Sequence, residues 1–130
     1  MTVVGLVLVS LGAVFHGYVF VLESLRWTRP ATRAVFGVGS AEEAETTRPL
    51  AFNQGFYNLF IAVVTIVGVV LVPAGAPAAG YALILAGAGS MVGAGLVLLL
   101  SDPSLRRAAL LQLTPPALGL LALGIGALLR

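Results

Sequence analysis

The chain has 130 residues, 59% of them hydrophobic and only 9% charged, which is too apolar for a soluble domain of this size. It contains no cysteine and a single histidine, which excludes disulfides, cysteine nucleophiles and any multi-histidine zinc site within one chain. Its net charge of +2 rests on dispersed arginines with no lysine and no basic stripe, so nucleic-acid binding has no support.

A helical membrane crossing needs about 20 consecutive apolar residues. Residues 1–22 carry no formal charge, nor do residues 49–101 or 108–129, and the middle run is long enough for two crossings. The chain therefore reads as one all-α transmembrane domain over residues 1–130, an integral membrane four-helix bundle with helices at about 3–25, 52–72, 78–100 and 105–129. Membrane strands are not expected, because the runs lack alternation of lipid-facing and lumen-facing residues.

The first helix lacks a basic leader and a small-x-small cleavage site, and Glu23, Arg26 and Trp27 follow it. It is expected to be retained rather than removed as a signal peptide. His16 lies inside this helix and Glu23 seven residues on, about two turns, so both are expected on one face. An ionisable side chain inside a span is costly and marks a functional site by default.

Residues 26–51 form the one sizeable polar segment and are read as a loop with a short interfacial helix around 41–48. Arg26, Arg29, Arg33 and Arg48 lie in it, while Arg106 and Arg107 lie between the third and fourth spans. The positive-inside rule then makes both loops cytoplasmic and both termini external, in a multi-pass protein of the cell (cytoplasmic) membrane.

The second span opens with Asn53-Gln54-Gly55-Phe56-Tyr57-Asn58. Amides in hydrocarbon must find partners. At about 1.5 Å of rise per residue from the flanking arginines, Glu23 lies about 5 Å deep, Asn53 and Gln112 about 8 Å, and His16 and Asn58 about 15 Å. These matched depths imply a polar pocket opening toward the arginine side, with Phe20, Trp27 and Phe56 as aromatic walls. Interhelical hydrogen bonds in membranes average about 0.6 kcal/mol. That accounts for Asn53, Gln54 and Gln112 as adhesive contacts, but is a small return for desolvating His16 and Glu23.

The third span is rich in small residues, and Gly89-x-x-x-Gly93 matches a close-packing pattern expected to act inside the bundle, or in self-association. The fourth begins with a Ser101 or Asp102 cap and Pro103 in the first helical position, and carries Pro115 and Pro116, expected to kink it.

His16, Glu23 and Trp27 followed by the Asn53–Asn58 segment resemble the small bacterial membrane proteins grouped as domain of unknown function 1304. The resemblance covers most of the chain. It implies a four-helix integral membrane protein and brings no activity with it. A looser likeness of architecture links the chain to membrane-embedded sterol isomerases and terpene cyclases, and a fold does not fix a function.

Two functions follow as expectations. One is an acid–base enzyme of isomerase or cyclase type acting on an apolar lipid, isoprenoid or epoxide. In it Glu23 is the acid and His16 the base, and Asn53, Gln54, Tyr57, Asn58 and Gln112 orient the substrate beside Phe20, Trp27 and Phe56. The other is a non-enzymatic binding or proton-coupled transport protein. The expected partners are a hydrophobic small molecule or lipid and the membrane, with a second copy of the chain as a further option. No metal and no cofactor is required; haem on His16 is permitted by one histidine, and nothing else in the sequence asks for it.

Overall fold

The computed structural model describes residues 1–129. Helix α1 spans Thr2–Phe20 and continues as a single wide π turn, Val21–Leu25. A short helix α2 covers Pro30–Phe36. Three long helices follow: α3 at Ala41–Leu71, α4 at Pro77–Ser101 and, after a 3₁₀ turn at Pro103–Leu105, α5 at Arg106–Leu128. Four segments are long and apolar enough to cross a membrane: Thr2–Leu25, Ala41–Leu71, Pro77–Ser101 and Pro103–Leu128. The protein is an all-α, multi-pass membrane bundle, with no strand among the described residues.

Each spanning helix packs against its two sequence or ring neighbours: α1 on α3 and α5, and α4 on α3 and α5. Short connections between long helices give this antiparallel ring. Val9, Ile84 and Ala88 fill one layer of its centre, and Ala13, Ala62 and Met91 another. The residues between α1 and α3 and between α4 and α5 lie at one end, so Arg26, Arg29, Arg33, Arg106 and Arg107 share that end.

The second span starts earlier than its apolar run. Residues 41–48 are not a separate interfacial helix but the first turns of the 31-residue α3. The start is fixed by capping: Ser40 Oγ accepts from the Glu43 amide (3.0 Å), and Glu43 Oε2 accepts from the Gly39 amide (2.9 Å). Pro49 sits inside the helix without ending it. At 1.5 Å per residue α3 is about 46 Å long, so its first turns extend past a hydrocarbon core of about 30 Å. The polar connection therefore shrinks to residues 26–40, and it holds α2, opened by Pro30 and closed by Gly37 in the left-handed conformation (φ 70°).

Close packing uses different glycines from those expected. A Cβ at Gly89 or Gly93 would meet nothing within 4 Å, so this pair does not pack α4 into the bundle. Close approach instead uses Gly80 and Gly87 against α3 and Gly95 against α5, spaced by seven and eight residues. A Cβ at Gly80 would lie 2.8 Å from the Gly68 carbonyl oxygen, and one at Gly95 would lie 2.5 Å from Leu113 Cβ. An x-x-x spacing reports only that two small residues share a face; which face meets a neighbour is decided by the whole helix.

The fourth span begins as its sequence predicts. Asp102 Oδ1 accepts from the Ser104 amide (2.9 Å), and Pro103 takes the first helical position. Hydrogen bonds from the Ser104 hydroxyl and amide hold the Asp102 carboxyl below its ordinary pKa. Pro115 and Pro116 are accommodated inside a continuous α5. Neither has an N–H, so the carbonyls of Leu111 and Gln112 lose their usual helical donors.

Candidate functional site

The site is built by a close crossing between the π turn and α3. Gly55 makes the crossing possible: a Cβ there would sit 3.0 Å from the Ser24 amide nitrogen and 3.2 Å from Glu23 Cβ, and would collide with Ser24 Oγ. Ser24 Oγ donates to the Phe52 carbonyl (2.9 Å), tying the two backbones together. One turn beyond Gly55, Asn58 reaches Glu23: its Nδ2 donates to Glu23 Oε2 (2.8 Å) and also to the Gln54 carbonyl (3.2 Å). The Gln54-Gly55 pair and Asn58 thus act as one device, in which glycine brings the backbones together and the amide receives the carboxyl group.

The π turn aims Glu23. A wider turn adds a residue to the helical repeat and is a frequent companion of functional sites. It also breaks the seven-residue register that would stack Glu23 over His16.

Glu23 faces a cavity of about 450 Å³ at the arginine-rich end of the bundle. Its polar lining is Glu23, Gln54, Asn58 and Gln112. Phe15, Tyr18 and Val19 of α1, Leu22 of the π turn, Leu98 of α4, Leu105 of the 3₁₀ turn and Ala108 and Leu111 of α5 provide apolar and aromatic walls. Val35 and Phe36 of α2 complete it, so the short helix roofs the cavity. The roof is pinned from the side: Trp27 packs against Phe36 with ring centroids 5.2 Å apart and planes tilted by 55°, and its Nε1 donates to Thr47 Oγ1 of α3 (3.1 Å). Tyr18, Gln54 and Leu111 are also exposed, so the cavity reaches the surface of the bundle.

Of the residues singled out by sequence, Glu23, Gln54, Asn58 and Gln112 converge here. His16 does not line the cavity. It is 1% exposed, and its Nδ1 lies 2.9 Å from the Gly12 carbonyl oxygen, so the ring proton is on Nδ1 in that bond. Phe15 meets its ring edge-on at 5.9 Å. Phe20 and Phe56 meet edge to face at 5.1 Å, within a row that includes Phe52 and Phe60. Asn53 is exposed, as is Tyr57 at 60%. Trp27 contributes by holding the roof and does not line the cavity.

Val35 and Phe36 carry a readable sequence signal. They are an apolar pair between Pro30 and Gly37, the start and stop residues of a short helix. No group of three or more His, Cys, Asp or Glu side chains capable of holding a metal occurs among the described residues. Comparisons with curated proteins and with solved structures gave no match. A family model does match, over residues 10–124, and includes every residue of the cavity: the chain belongs to the protein family of unknown function DUF1304.

Proposed function

We propose that this protein binds a hydrophobic small molecule or lipid bearing one polar group in the Glu23–Asn58 cavity, and acts on it by acid–base chemistry of the isomerase type. The reading rests on one observation: a carboxyl group, hydrogen-bonded by a carboxamide at 2.8 Å, faces a cavity whose other walls are mainly apolar and aromatic. Dry surroundings strengthen every polar interaction made there. His16 does not line the cavity, so proton transfer falls to Glu23 alone. A single carboxylate can take a proton from an allylic carbon and return it at the far end of the shifted double bond, leaving atoms and charge balanced. Gln54, Asn58 and Gln112 serve to orient the polar end of the substrate.

The setting proposed is the cytoplasmic membrane of the cell, with the arginine-rich end inside and both termini outside, as the positive-inside rule favours. The alternative is a binding or proton-coupled transport protein using the same cavity, and the exposed edges at Tyr18, Gln54 and Leu111 favour exchange with the bilayer.

The test is to purify the protein in mild detergent, extract it with organic solvent and identify co-purifying molecules by mass spectrometry. Wild type should carry a hydrophobic compound that Ala108→Trp, which fills the cavity, does not. Incubation of that complex in D2O should place deuterium in the compound when Glu23 is present and not in Glu23→Gln. Identical extracts from wild type and Ala108→Trp would defeat the binding reading. Binding without deuterium uptake would defeat the enzyme and leave the carrier.

A further inference from the structure

A second concavity lies on the outer face of α5, lined by Arg106, Arg107, Leu110, Leu111, Thr114 and Pro115. Its composition is divided along the helix axis. Two guanidinium groups stand at the head. Below them run two leucines, a threonine whose hydroxyl is bonded back to the Leu110 carbonyl (2.6 Å), and a proline ring. The threonine therefore offers little polarity to the groove. From Arg107 to Pro115 the groove descends about 12 Å at 1.5 Å per residue, close to half the thickness of a leaflet pair's hydrocarbon core.

The two arginines are exposed and stand in no ion pair among the described residues, where the salt bridge formed is Arg48–Glu45. The nearest carboxylate in sequence, Asp102, is engaged by Ser104. Two uncompensated cations, above a shallow apolar strip along α5, complement a molecule with an anionic head and a hydrocarbon chain. Guanidinium matches phosphate oxygens in bidentate geometry.

We propose that this groove is a docking site for an anionic phospholipid. Its phosphate lies between Arg106 and Arg107, and one acyl chain lies along Leu110, Leu111 and Pro115. The site does not depend on the reading of the Glu23 cavity, although Leu111 forms part of the wall of both.

The experiment uses delipidated protein in detergent, titrated with dioleoyl phosphatidylglycerol or dioleoyl phosphatidylcholine and read by native mass spectrometry. Wild type should retain phosphatidylglycerol about tenfold more strongly than phosphatidylcholine, in keeping with the attraction of two interfacial arginines for anionic lipid. Arg106→Gln/Arg107→Gln should lose that preference while keeping its helical circular dichroism. Thr114→Trp, which fills the groove and leaves both arginines, should weaken retention of both lipids. Arg29→Gln, a charge removed elsewhere at the same end, should change nothing. Equal retention of the two lipids by wild type overturns the proposal. So does an Arg29→Gln loss equal to that of the double variant, because the effect is then surface charge alone. Unaltered retention in Thr114→Trp, or displacement of the lipid by millimolar inorganic phosphate, would show that the groove contributes nothing.

Discussion

The Glu23 carboxyl and the Asn58 carboxamide, 35 positions apart in sequence, meet at 2.8 Å across two membrane helices. The contact exists because Gly55 lets the π turn of the first span lie against α3. Interhelical bonds of this kind are worth about 0.6 kcal/mol on average and at most about 1.7. A double-mutant cycle on Glu23→Leu and Asn58→Leu, each of which removes the bond, read by reversible unfolding in mixed micelles, should give a coupling energy in that range. A coupling near zero would mean that the pair is not formed in the folded protein.

Gly55 and Gly89 should respond in opposite ways to added bulk. Gly55→Val drives side-chain atoms into Ser24 and Glu23, and overpacking of this kind costs about 1–3 kcal/mol. Gly89→Val points into open space and should change stability by less than about 0.5 kcal/mol. Comparable losses at the two sites would contradict the close packing assigned to α4.

How much of this was legible in the sequence depends on the length scale of the signal. Four spans and the α5 cap could be read because charge-free runs and an Asp102-Pro103 start are local features. The first turns of α3 were harder, because Glu42, Glu43 and Glu45 make them polar and Pro49 looks like a break; their helicity comes from the Ser40 cap. Depth matching drew Glu23, Asn58 and Gln112 to the arginine-rich half of the bundle, but it also drew in His16 and Asn53, and it set Asn58 about 10 Å deeper than the Glu23 it bonds. Depth does not give azimuth. The π turn shifts the phase of Glu23 relative to His16, and the position of α2 over the cavity depends on Trp27 meeting Phe36 and Thr47. Neither can be read from spacing.

The roof has a built-in reporter, because Trp27 is the single tryptophan and packs against Phe36, which lines the cavity. Phe36→Ala should shift Trp27 emission and speed release of any cavity occupant. Thr47→Val, which removes the indole hydrogen bond but not the ring contact, should shift emission less. Unchanged Trp27 emission in Phe36→Ala would separate the indole from the roof.

The orientation proposed above rests on the shared end of Arg26, Arg29, Arg33, Arg106 and Arg107. An alkaline phosphatase fusion after residue 129 should be active and the corresponding green fluorescent protein fusion dark, as for an external C-terminus. Adding arginines to the 72–76 turn, as Val72→Arg with Ala74→Arg, should weaken that bias. A fluorescent C-terminal fusion in the unaltered protein would invert the assignment.

The two ionisable residues of the first span should respond oppositely to substitution. His16 is enclosed, bonds its own helix at Gly12, and has no part in the cavity lining. Its burial makes it a packing residue whose loss is felt in stability. His16→Leu keeps a side chain of similar bulk and removes a buried polar group, so cavity binding should persist in proportion to folded protein. Glu23→Gln keeps size and can still accept from Asn58 through its amide oxygen, so folding should persist while proton transfer stops. Unfolding and solvent-exchange assays on the two variants should therefore sort them oppositely: His16→Leu altered in stability with chemistry retained per folded molecule, Glu23→Gln stable with chemistry lost. Loss of deuterium uptake in well-folded His16→Leu would return His16 to the chemistry. The single-carboxyl mechanism would then give way to a relay in which the histidine acts on the cavity through the protein interior.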